Sequence, residues 1–189
     1  QNTKNDLVEL FNFKQNKIEV IYNGVDESYK IVKNNKNKKN IKEKYKTGEN
    51  FLLYVGNIKP HKNISRLLKS LNKLNGNNKI VIVGKKDKAY DEIFDIIKNY
   101  DLQNRVVFTG FVPDKDLVLL YNAATLFVYP SLYEGFGLPL LEAMSCGLPV
   151  LITNVGGNVD LINTYENGVL IPPENISQLT NSIENLYAN

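Results

Sequence analysis

The chain has 189 residues, 43% of them hydrophobic, and a formal net charge of +3, enough for one domain with a full core. A single cysteine, Cys146, and a single histidine, His61, exclude a disulfide framework and a Cys- or His-built metal site. Nothing resembles a signal peptide or a run of eighteen apolar residues, so this segment is expected neither to cross a membrane nor to be exported, and to work in a reducing compartment.

In chain order, Asp6 to Phe13 reads as a short helix. Ile18 to Tyr22 reads as a strand ended by the Asn23-Gly24 turn. Gln1 is not a natural initiator, so the start reads as cut. Between Lys30 and Lys46 stand eight lysines and one acid, Glu43. Such a run can track nucleic-acid phosphates or anionic lipid headgroups. Without arginine or aromatic interleaving it reads instead as a solvated loop and short helix.

From Phe51 the pattern turns regular. The apolar strand FLLYV ends at Gly56, and 63–74 has helical spacing. KIVIV (79–83) ends at Gly84, and 90–100 is helical again. Residues 105–109 form a strand ending at Gly110, and a helix starts at Asp114. There follow a strand at 125–129, a helix at 138–146, a strand at 149–152, a short helix at 159–162, a strand at 168–171 and a last helix at 175–187. Continuously apolar strands separated by helices imply a parallel sheet covered on both faces, hence a doubly wound, Rossmann-like α/β fold. Ligands in such sheets sit beyond the carboxyl ends of the strands, where Gly56, Gly84, Gly110 and the 130–137 loop all fall.

The organising stretch is YPSLYEGFGLPLLEAMSCGLPV, Tyr129 to Val150. It reads strand, glycine-bearing turn, helix, strand. The turn exposes backbone N–H groups and the helix start adds partial positive charge, so together they form an anion-binding device. Glu134 stands in the turn, and Glu142 is placed about two turns into the helix, where a carboxylate suits sugar or ribose hydroxyls. In GNIKPHKN (56–63), Lys62 stands at a helix entrance and can meet a phosphate as a point charge, whereas His61 reads as a solvated loop residue.

Other signals fail on context. Asp114-Lys115-Asp116 spells a D-x-D, but after Pro113 and before an apolar-periodic run Asp114 reads as an N-cap and Asp116 as a first-turn acid. No G-x-x-x-x-G-K-[ST] is present, and Gly84-Lys-Lys-Asp lacks G-x-G-x-x-G, which disfavours a nucleoside triphosphatase and a nicotinamide cofactor. Cys146 has no evident base and reads as inert packing. Glu134 and Glu142 can also be imagined as a glycosidase pair, but their loop-and-helix setting suits ligand gripping better.

At these residues the chain resembles the donor-binding half of a retaining GT-B glycosyltransferase of family 4, also called group 1. The similarity runs through IEVIYNGVD (18–26), LLYVGNIKPHKN (52–63), VIVG (81–84), residues 106–151, NVGGNVDLI (154–162) and NGVLIPPEN (167–175). The E-x7-E spacing in EGFGLPLLE carries it. The resemblance implies that Glu142 holds the ribose hydroxyls of a nucleotide diphosphate sugar. It sets the backbone around Gly135, Phe136, Gly137 and Leu138 against sugar and diphosphate, Glu134 near the sugar ring, and Lys62 against the diphosphate. Val112 would line the base pocket. Glu134 and Lys62 are the residues it sets nearest the chemistry. Many members carry arginine where Asn57 stands, which shifts diphosphate neutralisation onto Lys62, and glutamate where Asp160 stands.

The same resemblance divides the chain into an interdomain segment, 1–30, and a nucleotide-sugar-binding domain, 31–189. The acceptor-binding domain is expected on the N-terminal side, outside these residues. It implies hexosyl transfer with retention, by same-face attack in which the leaving diphosphate takes the acceptor's proton, with no cofactor and no metal. GNIKPHKN is similar to mannosyltransferases of bacterial surface-polysaccharide or lipopolysaccharide assembly, which favours GDP-mannose as donor. The setting would be cytoplasmic, with peripheral contact at the inner face of the membrane, and no nucleic-acid partner is expected. A nucleotide-sugar epimerase, a glycan phosphorylase, a non-catalytic nucleotide-sugar-binding module and a lysine-rich nucleic-acid or membrane adaptor stay open beside it. A phosphorylase would need a pyridoxal phosphate lysine site, which no segment suggests.

Overall fold

A computed structural model describes residues 2–85, 90–162 and 167–188. Six parallel strands make one sheet: β1 (Phe51–Val55), β2 (Lys79–Val83), β3 (Val106–Gly110), β4 (Leu126–Tyr129), β5 (Val150–Thr153) and β6 (Val169–Ile171). Their spatial order is β3-β2-β1-β4-β5-β6. Outside the sheet lie α1 (Asn2–Phe11), α2 (Asn35–Tyr45), α3 (Ile64–Lys73), α4 (Tyr90–Asn99), α5 (Asp114–Ala123), α6 (Leu138–Ser145), α7 (Asn158–Leu161) and α8 (Ile176–Ala188). The main helix contacts fall in two groups, α5 with α2 and α6, and α3 with α4 and α8. They cover the two faces of a sheet whose central strands are apolar throughout. Phe51, Leu52, Leu53, Ile80, Val81, Phe127 and Val128 are fully buried, which is why these strands show no alternation. The doubly wound reading therefore holds.

Chain order reverses between β1 and β4, neighbours in the sheet that lead away in opposite directions. The carboxyl ends at such a reversal diverge and leave a crevice, the usual ligand position of open α/β sheets. The loops after β1 and β4 are laced together across it. Leu132 N–H donates to the His61 carbonyl at 2.7 Å, and Asn63 Nδ2 donates to the Pro130 carbonyl at 2.9 Å.

Three local expectations are corrected. Residues 18–22 form no strand. They have strand composition, but no described strand pairs with them, and Ile21 and Tyr22 lie exposed. Helix α1 runs Asn2–Phe11 rather than starting at Asp6. Pro113, not Asp114, occupies the N-cap of α5 and no side chain caps that end, so Asp114 is a first-turn acid.

Asp116 does more than sit in the first turn. It is buried, accepts a hydrogen bond from the Tyr45 hydroxyl at 2.8 Å and pairs with Lys44, bolting α2 to α5. The Lys44 hydrogen bond is the largest of the effects that hold its carboxyl below the usual range. Part of the lysine run is thus structural, while Lys39 and Glu43 form an exposed i,i+4 pair at 3.9 Å.

Candidate donor-binding site

Two clusters form around the reversal. In the first, Lys62 sits in the short 3-10 turn Pro60–Lys62 that precedes α3. Its ammonium meets Glu134 Oε1 at 2.6 Å, and the two side chains are only 15% and 7% exposed. It also donates to the Tyr129 hydroxyl at 3.2 Å and lies 5.3 Å from the centre of that ring. Two of the three ammonium protons are so engaged, leaving capacity for one further acceptor. The Tyr129 ring stacks on Tyr54 and Phe127, with centroids 5.9 and 5.6 Å apart, which fixes the hydroxyl from beneath. Burial first, and then the Glu134 charge, push the Tyr129 pKa up, so its O–H is a neutral donor throughout the physiological range.

Glu134 is held from the other side by the loop after β5. A Cβ on Gly156 would lie 1.9 Å from the Glu134 carbonyl, and Gly156 has φ +52°. A Cβ on Gly157 would lie 2.4 Å from the Gly135 carbonyl. Only glycine allows this approach of backbone to backbone. The turn then enters α6 through Gly137, at φ +78° in the left-handed region. Gly135 and Leu138 are exposed at this mouth and Gly137 is buried. The Phe136 ring packs 5.8 Å from Tyr22 of the leading segment. A cleft of about 430 Å³ runs between residues 18–23, α1 and the Gly135-Phe136 backbone.

The second cluster surrounds Glu142. Leu138 opens α6, so Glu142 stands just over one turn in, not two. Its carboxylate accepts from the Tyr121 hydroxyl at 2.8 Å. Burial, first of all, raises its pKa, and the nearby Asp114 adds to the rise. The Tyr121 and Tyr29 hydroxyls oppose it. Val112 is buried just after β3, two residues before α5 begins. Asn57 is exposed, and its carbonyl accepts from Tyr54 at 3.2 Å. Cys146 closes α6 with a thiol pushed up to about 11, chiefly by burial. His61 is exposed and serves through its carbonyl.

Lys62, Glu134 and the 135–138 backbone thus share one crevice, and Glu142 faces its own tyrosine pair. Sequence reading missed Tyr129 and Tyr121, each aromatic in a segment where an apolar reading sufficed, and Tyr29, in a polar stretch, and it gave no role to Gly156 or Gly157. It also missed Asn158, fully buried, whose Nδ2 donates to the Thr153 carbonyl at 3.1 Å and whose Oδ1 has no partner. That oxygen stands 3.1 Å from where a Cβ on Gly137 would be.

The family model of glycosyl transferases group 1 matches residues 34–189. The chain belongs to that family. It is 31% identical over 191 residues to an uncharacterized glycosyltransferase of Methanocaldococcus jannaschii, covering 98% of this chain and 49% of that protein. It is 30% identical over 183 residues to the O-antigen chain mannosyltransferase B of Escherichia coli, covering 94% of this chain and 47% of that one. Among solved structures, Anabaena HepE in complex with UDP superposes with a TM-score of 0.90 at 25% identity, over 98% of this chain and 52% of that one. The chain therefore spans about half the length of the relatives it matches. No helix among the described residues is long and apolar enough to cross a membrane.

Proposed function

We propose that this chain is the donor-binding part of a retaining hexosyltransferase that uses a nucleotide diphosphate sugar. The observation that carries the proposal is the meeting of Lys62 and Glu134 across the strand reversal, beside the amino end of α6. Lys62 and the N–H groups at residues 136–138 offset the diphosphate, and Glu134 lies against the sugar. Glu142 takes the ribose hydroxyls, and the Val112 backbone borders the base. Asn57 contributes no charge, so Lys62 carries the side-chain part of the neutralisation. Chemistry rests on stabilising the leaving diphosphate and on positioning. No protein nucleophile, cofactor or divalent ion is required in this scheme. The acceptor is supplied by a further domain, on the N-terminal side, of the kind that the relatives' greater length allows.

For the donor we propose GDP-mannose. The similarity to an O-antigen mannosyltransferase supports it, and the reaction then belongs to surface-polysaccharide assembly at the inner face of the membrane. The complex of HepE with UDP favours a uridine donor as the second reading. Calorimetric titration with GDP-mannose, UDP-glucose and ADP-glucose separates them. Tightest binding of GDP-mannose is the expected result. Preference for UDP-glucose selects the second reading, and absence of binding to all three overturns the proposal.

A further inference from the structure

The Glu142 carboxylate is not self-supporting. It sits on the short helix α6, half-buried, in surroundings that disfavour its charge. Tyr121 comes from α5, the helix that packs against α6. Its ring is fully buried and wedged against Phe127 and Tyr29, with centroids 5.8 and 5.9 Å away. A ring so confined has its hydroxyl placed by the core, and that hydroxyl donates to Glu142 Oε2 at 2.8 Å. We infer that Tyr121 is a positioning residue: it fixes one carboxylate oxygen of Glu142, so that the other is presented to the nucleotide's ribose in a single orientation.

The inference rests on the reading of Glu142 as the ribose-binding group. A carboxylate has two oxygens and about four acceptor sites, so one oxygen can be anchored while the other accepts from a ligand. Unanchored, the side chain would have to be ordered by the ligand itself, and affinity falls by that ordering entropy. The second consequence concerns protons. The groups facing Glu142 are Tyr121 and Asp114 from α5, Tyr29 from the leading segment, Tyr129 from β4 and Cys146 from its own helix. Asp114 and burial favour the protonated acid, and the tyrosine hydroxyls favour the anion. Loss of the Tyr121 hydroxyl therefore moves the Glu142 pKa further up. Binding that needs the anion is lost as pH falls through that pKa, so the acid limit of binding shifts to higher pH.

The test uses Tyr121→Phe, which keeps the ring, against Glu142→Gln and wild type. The probes are UDP, GDP and their 2′-deoxy counterparts, titrated from pH 5 to 8, with thermal melting as a check on folding. Tyr121→Phe is expected to bind the ribonucleotide on the order of 5-fold more weakly. It should also lose preference for ribose over deoxyribose and bind only down to a higher pH than wild type. If Glu142→Gln loses that preference while Tyr121→Phe keeps wild-type preference and wild-type pH dependence, the positioning role is overturned and the ribose reading survives. If Glu142→Gln keeps the preference, the ribose reading itself fails and the inference falls with it. Should Tyr121→Phe melt early, both readouts are taken at a temperature where that variant is still folded. Wild-type values for both then overturn the inference.

Discussion

Lys62 and the exposed Lys39 of α2 carry the same charge and have opposite physical meaning. Lys39 is 75% exposed by its side chain and faces Glu43 at 3.9 Å, a geometry worth a few tenths of a kcal/mol. Lys62 is almost withdrawn from water, with a carboxylate at 2.6 Å and a tyrosine hydroxyl beside it. The density of lysines in the sequence points to α2, and the fold points to Lys62. What distinguishes them is where the backbone puts the ammonium. Lys62 stands at the strand reversal, beside the α6 amino end, while α2 packs against α5.

The sharpest way to break this comparison is to remove each lysine. Lys62→Ala strands Glu134 in a buried position, and unfolding in urea is expected to show a loss of about 3–5 kcal/mol. Lys39→Ala should stay within about 0.5 kcal/mol of wild type. Equal effects would mean that the buried pair has no special standing.

Next in size is Glu142→Gln, expected to weaken nucleoside diphosphate binding by about 1.5–3 kcal/mol in calorimetry. Its stability should move the other way. The folded pKa of Glu142 is raised, so the folded state binds a proton more tightly than the unfolded state, and the carboxyl's contribution to stability is lost as pH rises through the raised value. Gln removes that loss. The variant should melt higher than wild type at pH 7, with the gap closing as pH falls through the raised pKa. A lower melting temperature at pH 7 would contradict the burial argument. Of similar or smaller size, Gly156→Ala should cost about 1–3 kcal/mol, because its Cβ meets the Glu134 carbonyl. Gly135→Ala, with nothing within 4 Å, should be near neutral in stability.

How much of this was readable beforehand follows from the physics of each feature. The six strands of the sheet and the helices between them are written in long apolar runs and 3.6-residue spacing, and they were legible to within a few residues. The false strand at 18–22 has the same local signal, but pairing is a property of the neighbours, which no local pattern encodes. The turns and the helix that carry Lys62, Glu134 and Glu142 were legible because glycine turns and strand ends announce themselves. The Tyr129 and Tyr121 hydroxyls were not, since a buried tyrosine reads as core until the fold shows what its oxygen touches. Gly156 and Gly157 were silent for the same reason: their value lies in a backbone more than twenty residues away in sequence.

The smallest expected effect is none. Nucleoside diphosphate affinity, at matched ionic strength, should be the same with and without a strong chelator, since Lys62 and the α6 amino end supply the positive charge. Loss of affinity restored by manganese would return Asp114 and Asp116 to consideration as ligands.

The most direct test of the central claim, that the donor site lies at the strand reversal, is hydrogen exchange with and without GDP or UDP in the presence of chelator. Added protection is expected to concentrate in residues 56–63 and 130–142. Protection confined to 33–46, or to the cavity of about 520 Å³ at the amino edge of the sheet bordered by Met144, Leu148 and Val169, would contradict it.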